Sequence, residues 1–111
     1  MTFLITDKKE IDKLISDKIK GKRLIFTNYY KFGLLKKDIE HDSVLKIFSQ
    51  FDKMFEIEKD RLKHGDIGYE LFYRLSNNIY FSIATCPKNN KVLIIHAIEY
   101  KRDLERRFGR K

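Results

Sequence analysis

The stretch Ile67-Gly68-Tyr69-Glu70-Leu71-Phe72-Tyr73-Arg74-Leu75 decides the fold. Ile67, Tyr69, Leu71, Tyr73 and Leu75 alternate with Gly68, Glu70, Phe72 and Arg74, a period of two that predicts a strand with one face in a core. Ser76-Asn77-Asn78 is turn chemistry, so a hairpin should carry the chain into a second strand over residues 79–85. Pro87-Lys88-Asn89-Asn90 reads as the next turn. Val92 to Ile98 is apolar on both faces and suits a central strand. Upstream, Phe55 and Ile57 alternate with Glu56 and Glu58 and add one more strand, which makes an antiparallel meander of about four.

Ahead of the meander the period changes. Asp7-Lys8-Lys9-Glu10 has capping-box spacing. Ile11, Leu14, Ile15 and Ile19 follow on one helical face, and Gly21 suits a left-handed stop. Residues 3–5 read as a short strand or only a cap, and residues 23–27 as a brief strand or extended entry. A helix over residues 29–37 is weakened by Gly33. Val44, Ile47, Phe48 and Phe51 form another apolar stripe, with Asp42 as its expected N-cap. Tyr100, Leu104 and Phe108 recur every four residues and predict a short basic C-terminal helix. The expected architecture is α+β: N-terminal helices, then an antiparallel sheet of about four strands, then that last helix.

At 111 residues the chain suits one domain, and 42% hydrophobic residues are enough for a core. The lone Cys86 cannot close an internal disulfide, and the apolar start is too short for a signal peptide or a membrane span. Cytoplasmic is therefore the expected location, with no membrane partner. No cofactor is expected, since the five glycines form no phosphate-binding loop. No metal is expected either: His41, His64 and His96 are far apart and Cys86 has no zinc-site partner. The formal charge is +8. Residues 101–111 hold Lys101, Arg102, Arg106, Arg107, Arg110 and Lys111 against Asp103 and Glu105, a net +4 that is half of the total. Such a surface attracts polyanions, RNA among them.

The stretch Gly68-Tyr69-Glu70-Leu71-Phe72-Tyr73-Arg74-Leu75 resembles the G-Y-R-hydrophobic-x-Y strand of the RelE/ParE-like toxin superfamily. Val92 to Arg102 is similar to that family's last strand, which runs into a His/Arg/Lys- and Tyr-bearing end. The likeness covers roughly residues 24 to 108, so residues 1–21 are expected as an N-terminal helical extension and residues 22–108 as the core. Glu70 stands where the family carries arginine, a departure that bears on catalysis more than on fold. The resemblance implies a metal-independent endoribonuclease of a toxin–antitoxin type system, acting on free or ribosome-bound RNA and neutralised by an acidic antitoxin.

RNA cleavage needs a base for the 2′-hydroxyl, cations for the phosphorane and an acid for the leaving oxygen. His96 is the first candidate for proton transfer; otherwise it is a core or edge histidine bonded to a backbone carbonyl. Arg74 reads as a phosphate ligand or as a surface partner of Glu70. Tyr100 reads as a stacking or relay group, or as the first core contact of the last helix. Arg61, Lys63 and His64 occupy the loop between the first two meander strands, a place for RNA contact or a solvated tip. Lys101, Arg102, Arg106 and Arg107 complete the candidate RNA surface, with Arg102 and Arg106 on one face at i,i+4. Two other functions stay open: a catalytically inactive nucleic-acid- or protein-binding module of the same fold, and a small homodimeric interaction scaffold.

Overall fold

A computed structural model describes residues 2–62 and 64–101. Its first helix starts as the Asp7 spacing predicts: Asp7 Oδ2 accepts the Glu10 backbone N–H at 3.1 Å, which satisfies one free donor of the first turn. Helix α1, Lys8–Leu14, then widens into a π turn, Ile15–Ile19. Ile11, Ile15 and Ile19 recur every four residues, a spacing that drifts around a 3.6-residue helix. The wider i→i+5 turn, closed by Lys20 N–H to Ile15 C=O at 2.7 Å, offsets the drift. All three isoleucines are buried. Gly21, at φ +79°, reverses the chain.

The sheet departs from expectation. It has six strands in the order β1-β3-β4-β5-β6-β2 and is mixed. β1, Thr2–Ile5, pairs antiparallel with β3, Met54–Arg61. β2, Arg23–Phe26, pairs parallel with β6, Lys91–Tyr100. Between them lie β4, Ile67–Arg74, and β5, Tyr80–Lys88. This overturns the plan of N-terminal helices followed by about four antiparallel strands. The chain instead places a strand on each side of α1, and these two strands form opposite edges of the meander. The physical reason is length: four residues on an edge give almost no period-two signal. The expected C-terminal helix falls in residues 102–111, outside the described residues. Residues 1–21, expected as an extension, supply edge strand β1 and three isoleucines of the main core.

Two further helices follow β2. α2, Asn28–Lys37, is capped by Thr27, and α3 spans His41–Phe48. The N-cap of α3 is Glu40, not Asp42; Asp42 lies in the first turn, where its charge suits the helix dipole. Tyr73 O–H donates to the Phe48 carbonyl at 2.9 Å, fixing the end of α3 to the middle of the sheet. The strand β5 runs on through Pro87 and Lys88, so the expected turn shrinks to Asn89 and Asn90.

The sheet has two unequal faces. Ile57, Leu71, Ile83 and Ala97 form one row across β3 to β6. That row is at most 2% exposed and belongs to the main core, with residues of all three helices. On the other face Phe72 and Tyr80 form a smaller cluster with Phe55 and Tyr100.

Candidate functional site

Strict alternation along β6 would place Val92, Ile94, His96 and Ile98 on one face. The structure breaks that phase. Ile94 pairs with Thr85 and His96 pairs with Ala84, so Ile95 is an extra residue, a β-bulge. Beyond it Ala97 takes the core side at 2% exposure, and His96 moves to the opposite face. There it joins a row running Glu58, Glu70, Ala84, His96 across four strands. Glu70 and His96 stand two strands apart, roughly 10 Å between backbones, with only the Ala84 methyl between them.

Helix α2 closes this region on the β6 side. β2 ends at Phe26, opposite Ile94, so the rest of the β6 edge needs another cover. Thr27 provides the join. Its backbone N–H and its hydroxyl both donate to the Ile94 carbonyl, at 3.2 and 3.1 Å, and its Oγ1 accepts the Tyr30 N–H at 3.1 Å. At the far end Lys37 Nζ donates to the Ala97 carbonyl at 3.2 Å. So anchored, α2 sends Tyr30 into the core and Tyr29 toward His96, with ring centroids 6.5 Å apart in an edge-to-face geometry.

The result is a cleft of about 340 Å³ lined by Tyr29, Glu58, Asp60, Glu70, Ala84 and His96, among others. Gly68 belongs to it for a steric reason. A Cβ at Gly68 would stand 3.0–3.1 Å from the Leu62 side chain, which also lines the cleft. His96 is half-buried, and its Nδ1 is buried with no hydrogen-bond partner among the described residues. The carbonyl-bonded alternative therefore does not describe that nitrogen. Burial pulls the imidazole below its ordinary value, the Glu70 carboxylate opposes that pull, and the Lys37 ammonium adds to it.

The other expected residues that the structure describes do not gather around His96. Arg74 is exposed at the end of β4, and its Nη2 donates to Asn77 Oδ1 in the following turn at 3.2 Å. It is four residues along and two strands across from His96, roughly 13 Å by 10 Å in sheet spacing. Tyr100 is half-buried beside Phe72 and Tyr80, its hydroxyl 3.4 Å from Ser82 Oγ. Arg61 ends β3 and lines a separate groove with Phe3, Lys59, Asp60 and Ile67. His64 is exposed in the β3–β4 turn, and Lys101 is exposed just past β6. Lys63, Arg102, Arg106 and Arg107 lie outside the described residues.

What sequence reasoning missed is the company His96 keeps. Glu58 was visible only as the polar half of an alternation, and Glu70 only as a departure from a motif. Tyr29 gave no signal at all. Among the described residues no three His, Cys, Asp or Glu side chains converge to hold a metal ion, and no helix is long and apolar enough to cross a membrane. Comparison with protein-family models, with curated proteins and with solved structures found no match.

Proposed function

We propose that the chain is a metal-independent endoribonuclease of the toxin type that its second half resembles, with proton transfer centred on His96 and Glu70 rather than on His96, Arg74 and Tyr100. One observation carries this reading: the bulge at Ile95 puts a half-buried imidazole and a carboxylate on one face, separated by a methyl group. Cleavage by 2′-hydroxyl attack needs a base on one side of the phosphate and an acid on the other. Glu70 takes the 2′-hydroxyl proton and His96, as imidazolium, protonates the leaving 5′-oxygen. Burial disfavours that imidazolium and the Glu70 charge partly opposes the burial, so the acid form is held at lower pH than an ordinary histidine's. Tyr29 at the rim offers a ring for a base to stack on. The carboxylates of the cleft suit the N–H donors of base edges, while phosphates meet Lys37 and the exposed cations at the sheet ends.

The carboxylate-rich lining also favours a second reading, a nucleic-acid-binding module without turnover. Three carboxylates in the cleft repel a scissile phosphate, and exposed cations such as Arg61, Arg74 and Lys101 lie at the ends of strands.

One experiment separates the two. The purified full chain is incubated with labelled RNA in chelator, with and without ribosomes, beside His96→Ala and Glu70→Gln. The nuclease reading expects cleavage that falls by about 100-fold or more in each variant while circular dichroism is unchanged. Cleavage that persists in both variants sinks the proposed site. Salt-sensitive binding with no cleavage supports the module instead.

A further inference from the structure

The two edges of the sheet are built differently. β2, at one end, begins with exposed Arg23 opposite Lys91. No acidic residue occurs from Lys18 to Lys37 or from Lys88 to Ile98. Cations on an edge strand are a common safeguard against pairing with another chain. β1, at the other end, lacks one. Thr2-Phe3-Leu4-Ile5 carries no charge and no proline, and its register against β3 runs without a bulge. It is also apolar on both faces. Ile5 pairs with Ile57 of the core row, so Phe3 shares that side of the sheet, while Leu4, opposite Glu58, stands on the cleft side. Phe3 is 56% exposed and Leu4 51%. An edge with open backbone groups and exposed apolar side chains is a template for one more strand.

We propose that β1 pairs antiparallel with β1 of a second copy of this chain, so that two six-stranded sheets join into one. Identical antiparallel strands are related by a two-fold axis perpendicular to the sheet, which sets one residue of β1 against itself. With Phe3 on the axis, Phe3 meets Phe3 and Leu4 meets Thr2. With Leu4 on the axis, Leu4 meets Leu4 and Phe3 meets Ile5. Either register covers an exposed apolar side chain on each face and gives the edge N–H and C=O groups partners. Charge favours a second copy as the occupant, in spite of the net +8. Asp7, Lys8, Lys9 and Glu10 follow β1, Glu58, Lys59 and Asp60 stand opposite it, and Arg61 lies beside Phe3. Four acids balance four bases, so two copies meet here without local repulsion, whereas two β2 edges would set cations against cations. Four residues a side bury less than the roughly 1,200–2,000 Å² of a standard interface. The dimer is therefore reversible, and its population follows concentration.

The test is sedimentation of the full chain, without RNA, from low micromolar to near-millimolar concentration. A monomer–dimer equilibrium is expected, strengthened as salt rises, because salt screens the long-range repulsion between two bodies of charge +8. Phe3→Lys and Leu4→Lys should each raise the dissociation constant at least about tenfold, by placing a charge on the paired edge. Both side chains are more than half exposed, so these variants keep the fold, and circular dichroism checks it. Cys86 is buried, which leaves a cysteine introduced at position 3 or 4 as the accessible thiol. Mild oxidation of Phe3→Cys or Leu4→Cys should link two copies in whichever register forms, and failure of both counts against the proposal. A monomer at every concentration overturns it. So does a dimer that both lysine variants leave intact, or one that Leu35→Lys on the exposed face of α2 abolishes instead. A monomer that binds a labelled extended peptide assigns the edge to a strand of another protein and overturns it too. Because no RNA is present, this result stands or falls separately from the nuclease reading.

Discussion

Replacing Thr27 by valine keeps the shape of the side chain and removes its hydroxyl. The structure gives that hydroxyl two tasks. It accepts the Tyr30 N–H at 3.1 Å as the N-cap of α2, and it donates to the Ile94 carbonyl at 3.1 Å. Losing an N-cap costs about 1 kcal/mol and up to about 2; the upper half applies here, because the orphaned N–H belongs to buried Tyr30. Losing the second bond adds about 0.5–1 kcal/mol, at the low end because the Thr27 backbone N–H still serves the same carbonyl at 3.2 Å. The sum is about 2 kcal/mol. With an unfolding entropy of about 2.1 cal/mol/K per residue, the melting temperature of this chain should fall by roughly 8 °C. Thermal and urea unfolding followed by circular dichroism measure it, with Thr27→Ser as the control that restores the hydroxyl. The serine variant should recover more than half of the loss. A valine variant within about 0.5 kcal/mol of the parent refutes the reasoning, and so does a serine variant as unstable as the valine one.

Tyr73→Phe removes the donor to the Phe48 carbonyl and should cost about 1–2 kcal/mol in urea unfolding, with an unchanged m-value; no change would mean that another donor serves that carbonyl. For His96, the folded imidazole binds its proton less readily than the ordinary value of 6.5 allows. Between the lowered value and 6.5 the unfolded chain holds more protons, so stability rises with pH through that window. The contribution is fully present above 6.5 and is lost as the pH falls through the folded value. Urea midpoints from pH 7.5 to 5 should therefore fall more steeply for the parent than for His96→Gln, and parallel curves would contradict the assignment. If cleavage is found, its rate should decline as the pH rises past the lowered value of His96, and Glu70→Gln should shift that decline to lower pH.

The meander was legible in the sequence because Leu71, Tyr73, Phe81 and Ile83 advertise one buried face at period two. The helices were legible through Asp7, the isoleucine stripe of α1 and the Val44–Phe48 stripe. Residues 3–5 and 23–27 read as short strands only with other readings open, and their places at opposite edges of the sheet were not legible, because an edge strand of four residues is defined by its partner in space and carries little pattern of its own. The same limit hid the site. From Val92 to Ile98 nearly every residue is apolar, so the sequence does not reveal where the phase slips. The slip at Ile95 alone decides whether His96 faces the core or Glu70. Arg74 shares a face with Glu70 on paper and in space, but sharing a face sets no distance along the strand, and that distance separates it from His96.

The placement of the edge strands also has a consequence for synthesis. β2 is made early and finds its partner only in β6, where Arg23 pairs with Lys91 and Phe26 with Ile94. β1 likewise waits for β3. The ribosome delivers the two edges first and the strands that receive them later, β6 last of all. Folding that proceeds from the N-terminus as the chain emerges has little to build on here. Such distant pairings are slow to close, because the intervening loop must lose its freedom before any contact rewards it. A nascent chain that stops short of Ile94 has no carbonyl for Thr27 and no strand for β2. The seat of α2, and the orientation of Tyr29 toward the cleft, are therefore assembled only once β6 has been made.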